Sequence, residues 1–267
     1  MTTLPHAADA RPVPPLHSRD FRIAWSSLLF ISLAVQCFAV ALVWLVLRLT
    51  GSGTDLGAVL TVSAIPRALV MLVSGVLIDR SAPRTIMVWS SLGRAAITGV
   101  LAFLLGLGGL EMLIVFIAAA LIGLLDALFY PILVALPPRL VHVSQLAAAN
   151  AILQTTDTLA NIGGPLLAGI LIGELGLEAA FGINVGLFVI GGALALLLLG
   201  PSVSRPSSAA LGERQNLGQA IMAGLRYAWD MPAVRISLIM IAMLNLAALG
   251  PAIVGTSIMV ERRFGGD

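Results

Sequence analysis

The sequence has 267 residues, of which 59% are hydrophobic and 10% charged, and its mean hydropathy is +1.03. Soluble domains carry about 45–50% apolar and about 25% charged residues, so this composition excludes a water-soluble fold and requires a bilayer as solvent. A net charge of +2 is too small to attract nucleic acid, although all 15 basic residues are arginine.

Residues 1–22 hold four prolines and no apolar core. That excludes a signal peptide and predicts a short disordered cytoplasmic tail. A bilayer core of ~30 Å takes about 20 helical residues to cross. Seven stretches meet that length: 23–47, 56–78, 85–110, 112–138, 146–173, 179–200 and 236–260. None shows the period-two alternation of a barrel strand. The expected fold class is an all-α polytopic membrane protein. The lone cysteine, Cys37, lies inside the first span and cannot form an internal disulfide.

Arginine placement predicts the orientation. An N-terminus on the inside gathers ten arginines there: 11, 19, 22, 80, 84, 139, 205, 214, 226 and 235. Only Arg48, Arg262 and Arg263 then lie outside. The long connection 201–235 opens with the Pro-Ser-rich run PSVSRPSSAA. It then places Leu217, Ile221, Leu225 and Ala228 at helical spacing, which predicts a linker and an amphipathic helix at the inner surface. Six spans thus form one unit, and a seventh follows the break. Residues 261–267 close the chain, which predicts a truncated end.

The turn after span two reads SGVLIDRSAPR over residues 74–84. Asp79 ends one helix, where the macrodipole is already negative, and Arg84 begins the next, where it is already positive. Each needs a partner other than its own helix. Gly75 allows a close helix contact.

Four spans hold one ionisable residue each: Arg67, Arg94, Asp126 and Asp157. All lie roughly 15–18 Å from the cytoplasmic ends of their spans, counting 1.5 Å per residue. A charge at mid-helix costs about 2.5–3.5 kcal/mol to insert. Four at one depth must pair or line a wet cavity. They read two ways, as a substrate or proton site and as structural ion pairs. Asp126 and Asp157 are the candidate proton carriers; Arg67 and Arg94 are their candidate counter-charges. In span five, Asn150, Gln154, Asp157, Asn161, Gly164 and Ala168 recur every three or four residues as one stripe. A polar stripe avoids lipid. It either lines a path or bonds to another helix. At its outer end stand Gly164, Pro165, Ala168 and Gly169.

Gly75, Leu77, Asp79, Arg80 and Arg84 resemble the major facilitator superfamily signature Gly-x-Leu-Ala-Asp-Arg-x-Gly-Arg-Arg, with departures at Ile78, Ala82 and Pro83. The segments DALFYPILVALPPRLV, QLAAANAILQTTDTLANIGGPLLAGIL and GLRYAWDMPAVR resemble that family's exporters, those related to enterobactin and macrolide efflux proteins. Gly164-Pro165-x-x-Ala168-Gly169 resembles the antiporter motif Gly-Pro-x-x-Gly-Gly of drug/proton exporters. Ala34-Val35 stands where exporters of this branch often carry Gly-Asp.

The resemblance implies an N-terminal six-helix bundle of two inverted three-helix repeats, plus the first helix of a second bundle. It implies alternating access around a midplane site, with Gly75, Asp79, Arg80 and Arg84 as a cytoplasmic latch. It implies proton-coupled efflux of a small molecule such as a drug or siderophore, in the cytoplasmic membrane of the cell. The partners are then lipid, a small-molecule substrate, protons and a missing second bundle. Import of a small solute, or an inactive fragment or scaffold, remain the alternative readings.

Nothing in the sequence asks for a cofactor or a metal. No lysine is present to hold retinal, and no phosphate loop occurs. The expected protein is not an enzyme.

Overall fold

A computed structural model describes residues 14–80, 82–198, 222, 226, 229–244 and 247, with the side chains of 72–80 and of residue 130 outside the description. Among the described residues all the regular structure is helical. Six helices are long and apolar enough to cross a membrane.

Helix α1 (Arg19–Thr50) starts where Ser18 Oγ accepts the Phe21 N–H at 3.0 Å. This cap carries the helix several residues ahead of the apolar run, with Arg19, Asp20 and Arg22 riding on the extension. It stops at Gly51, whose φ of +62° suits glycine and whose N–H returns to the Leu47 carbonyl at 2.8 Å. Helix α2 (Gly53–Arg80) and helix α3 (Pro83–Gly106) follow, the latter opened by Pro83 in its first turn, where the missing N–H is harmless.

Helix α4 (Met112–Ala135) ends short of the apolar stretch because Pro137 and Pro138 supply no N–H to continue its ladder. A single turn, Pro137–Leu140, takes up the slack. Helix α5 (Leu146–Leu175) and helix α6 (Leu177–Leu196) are separated by Gly176 alone, at φ +85°.

Helix α7 (Pro232–Leu244) begins ahead of the seventh apolar stretch and buries none of its residues. The rest of that stretch, and most of the 201–235 connection with its expected amphipathic helix, lie outside the described residues.

Helix α1 is the axis of the bundle and packs on α5 and α6; α6 in turn packs on α3, and α4 lies between α2 and α3. Apolar surface gains little from leaving lipid, so close contact between small residues must hold such helices together. The contacts show it. A Cβ on Gly191 would meet Ile31 at 2.6 Å, and one on Gly192 would meet Ser91 at 3.2 Å. Polar cross-links reinforce them. Ser27 Oγ donates to the Gly191 carbonyl at 2.7 Å, and Asn184 Nδ2 donates to the Ala34 carbonyl at 2.8 Å, both buried. Phe38 and Phe181 meet edge to face at 6.0 Å in the larger of the cores. At the far end of α1, Arg48 pairs with Glu178 at 3.1 Å, an exposed contact worth little.

Candidate functional site

At the end of the bundle where α1 and α5 begin, α1, α4 and α5 part to leave a cavity of about 420 Å³. Leu28 and Ser32 of α1, Leu133 of α4, and Asn150, Gln154 and Asp157 of α5 form much of its wall. Asp157 is the single charged group among the lining residues described. Trp25 Nε1 donates to Thr156 Oγ1 at 2.8 Å, and that hydroxyl donates to the Ile152 carbonyl, tying α1 to α5 beside the cavity.

Asp157 is the anchor of a short polar chain. Asn161, one helical turn on, donates from Nδ2 to the Asp157 carbonyl at 2.8 Å and to its Oδ2 at 3.1 Å. The oxygen of Asn161 accepts from Gln36 Nε2, across on α1. Sequence reasoning passed over Gln36. Its signal was present, as an amide near the middle of a charge-free apolar span, but its partner lies 125 positions away.

The other mid-depth charges sort differently. Arg94 is fully buried, and its Nε and Nη2 reach Asp126 Oδ1 at 3.2 and 2.9 Å. Nη2 also donates to the Leu125 carbonyl at 3.0 Å. The Phe129 ring lies 4.9 Å from the guanidinium, and Phe188 lies 6.0 Å away. Arg94 and Asp126 thus clasp α3 to α4. Arg67 of α2 is half-buried and close enough for its charge to act on Arg94. Asp157 stands apart from this cluster, with no ion pair among the described residues.

The stripe on α5 divides along its length. Gly164 and Ala168 lie in the buried seam with Ala149, Thr156 and Ala160, whereas Asn150, Gln154 and Asn161 are one step around the helix and exposed. The closeness of α5 to α1 varies along its length. At Gly164 the backbones of α5 and α1 nearly touch, and a Cβ there would overlap Gln36 and meet the Cys37 nitrogen at 3.2 Å. Toward the start of α5 the neighbouring face, with Asn150, Gln154 and Asp157, borders the cavity.

Pro165 and Gly169 are exposed, and nothing lies within 4 Å of a Cβ built on Gly169. Gly164→Ala is expected to cost about 1–3 kcal/mol. Gly169→Ala is expected to be neutral or stabilising by up to about 1 kcal/mol. Thermal melts of the two variants in detergent check the contrast.

Of the turn after α2, the side chains of Gly75, Asp79 and Arg80 lie outside the description. Arg84 is described. Its Nη2 donates to the Leu196 carbonyl at 2.6 Å, at the C-terminal end of α6. A cation placed poorly on its own helix thereby serves the negative end of another.

Six membrane-length helices among the described residues, with a cavity of mixed lining and a buried ion pair between them, define a multi-pass helical membrane protein. Residues 24–266 match the Major Facilitator Superfamily, and the chain belongs to that family. It is also similar to the multidrug efflux pump Tap of Mycolicibacterium fortuitum, with 29% identity over 235 residues. The aligned region takes in 84% of this chain and 55% of the pump. The chain therefore spans about half the length of that relative.

Proposed function

We propose that this chain forms the N-terminal six-helix bundle, residues 23–200, and the first helix of the second bundle of a secondary transporter that exports small molecules. The observation that carries this reading is the cavity walled by Asn150, Gln154 and Asp157 between α1, α4 and α5. Its volume falls in the range of small-molecule sites, about 300–1,000 Å³, and its wall mixes apolar and polar groups. The similarity to a multidrug efflux pump supports export over import.

In this reading the N-terminus is cytoplasmic, as the arginine distribution favours, and the cavity faces the cytoplasm in the described conformation. Rocking of the bundle against its partner bundle then exposes the cavity to the other side. Asp79, Arg80 and Arg84 latch the cytoplasmic face, with Gly75 at the helix contact. Coupling to protons runs through Asp157 in preference to Asp126, because Asp126 is already engaged by Arg94.

The test is expression of the native gene in an efflux-deficient bacterium, followed by accumulation of ethidium. Accumulation is expected to fall severalfold and to recover when a protonophore collapses the gradient. Asp157→Asn is expected to lower the initial efflux rate at least tenfold at equal membrane abundance. A wild-type protein that inserts normally yet alters accumulation of no compound in a broad dye and antibiotic panel overturns the reading.

A further inference from the structure

Arg94 has more donors than its clasp uses. A guanidinium carries five N–H groups. Nε uses one and Nη2 uses two, on Asp126 Oδ1 and the Leu125 carbonyl. The remaining pair is on Nη1, which is buried and meets no acceptor among the described residues.

Ser91 Oγ, Thr98 Oγ1 and Asn184 Oδ1 are buried in the same way without a partner among the described residues. All four atoms belong to one seam. Ser91, Arg94 and Thr98 recur at helical spacing along a single face of α3, and α6 runs opposite. A Cβ on Gly192 of α6 would meet the Ser91 side chain at 3.2 Å, and one on Gly99 of α3 would meet Val185 of α6 at 3.8 Å. That register sets Phe188 beside Arg94 and Asn184 near the level of Thr98. Helix side chains lean back over the preceding turn, so the Arg94 guanidinium lies over the turn that holds Ser91.

Polar atoms at this depth must be satisfied from within the protein, because lipid offers them nothing. Two small species can meet Nη1, a water molecule and a monoanion. The charge of Arg94 is already matched by Asp126. The rings of Phe129 and Phe188 lie 4.9 and 6.0 Å from the guanidinium, and an aromatic face that attracts a cation repels an anion. A neutral molecule able both to accept and to donate fits these conditions. The same holds one turn along. Asn184 Nδ2 donates to the Ala34 carbonyl, which leaves Oδ1 as an acceptor, and the Thr98 hydroxyl is a donor.

We propose that the α3–α6 seam is an internal water site, with one molecule bridging Arg94 Nη1 to Ser91 Oγ and a second bridging Thr98 Oγ1 to Asn184 Oδ1. The first water makes Ser91 a positioning residue for the ion pair. It fills the open side of the guanidinium and keeps Nε and Nη2 turned to Asp126. The inference is independent of the exporter reading.

X-ray radiolytic labelling of the full-length protein in nanodiscs tests it. Hydroxyl radicals made from a bound water oxidise the side chains around it, even where bulk solvent does not reach. Phe129 and Phe188, 4% and 1% exposed, report the first water. Both are expected to be oxidised about fivefold faster in the wild type than in the Arg94→Met, Asp126→Leu double variant, which offers that water no polar anchor beyond Ser91. Ser91→Ala, a milder change, is expected to lower the rate about twofold. Phe181, one turn from Asn184, reports the second water, and Thr98→Val is expected to lower its oxidation by a similar factor.

Wild-type Phe129 and Phe188 oxidised no faster than in the double variant show a dry seam and overturn the inference. A wild-type melting temperature that rises by more than about 3 °C when chloride replaces gluconate shows an anion at Nη1 and overturns it too. Fast oxidation with no chloride effect is the result expected.

Discussion

Replacing Arg94 by methionine, with Asp126 left in place, is expected to destabilise the bundle by about 3–5 kcal/mol. Three hydrogen bonds disappear, two to Asp126 and one to the Leu125 carbonyl. The larger penalty is the carboxylate left behind, 17% exposed and stripped of its counter-charge. Asp126→Leu should cost a similar amount for the converse reason, since a guanidinium that is 1% exposed then has no anion.

The double variant Arg94→Met with Asp126→Leu should recover most of the loss, because neither ion remains to be solvated. Thermal unfolding of the four proteins in detergent forms a double-mutant cycle with a coupling of several kcal/mol. Single variants that melt within about 1 kcal/mol of the wild type would show that the clasp holds nothing together.

Gly123→Ala is the second change with a large expected effect. A Cβ at this position of α4 would fall on the Ser63 carbonyl oxygen of α2, with the Ser63 Cα at 3.2 Å. Backbone cannot rotate out of the way as a side chain can. The whole helix must shift, and α2 has little other support, because it packs chiefly on α4. A loss of about 3 kcal/mol or more is expected, at the upper end of overpacking effects. Gly57→Ala, on the same α2 but with open space around it, is the matched control and should be silent. Cysteine cross-linking between α2 and α4 would report the displaced helix directly.

The apolar runs and the mid-depth charges were legible from residue order, because lipid imposes length and polarity one helix at a time. Pairings were not. Arg94 and Asp126 could be placed at equal depth by counting. Which acid met which base depends on how α3 and α4 rotate about their axes, and that is settled only when the helices pack.

Arg84 shows the same boundary. Dipole reasoning required a partner beyond its own helix, and the Leu196 carbonyl, 112 positions away, is a main-chain group that no side-chain pattern announces. On α5, the three-to-four spacing grouped Gly164 and Ala168 with Asn150 and Gln154. Packing on α1 then placed Gly164 and Ala168 in the seam and left Asn150 and Gln154 beside the cavity. Gln36 was hidden for the plainest reason: one amide in an apolar span acquires meaning only when Asn161 is brought opposite.

The lopsided support of α2 has a consequence for biogenesis. Synthesis runs from N- to C-terminus, so α1 emerges first, and α1 touches α2 only lightly. For the several seconds that ribosomes need to make α3 and α4, α2 and its Arg67 lack the helix on which α2 chiefly packs. Delayed release of α2 from the insertion machinery until α4 arrives is the expected consequence, the two helices then packing side by side.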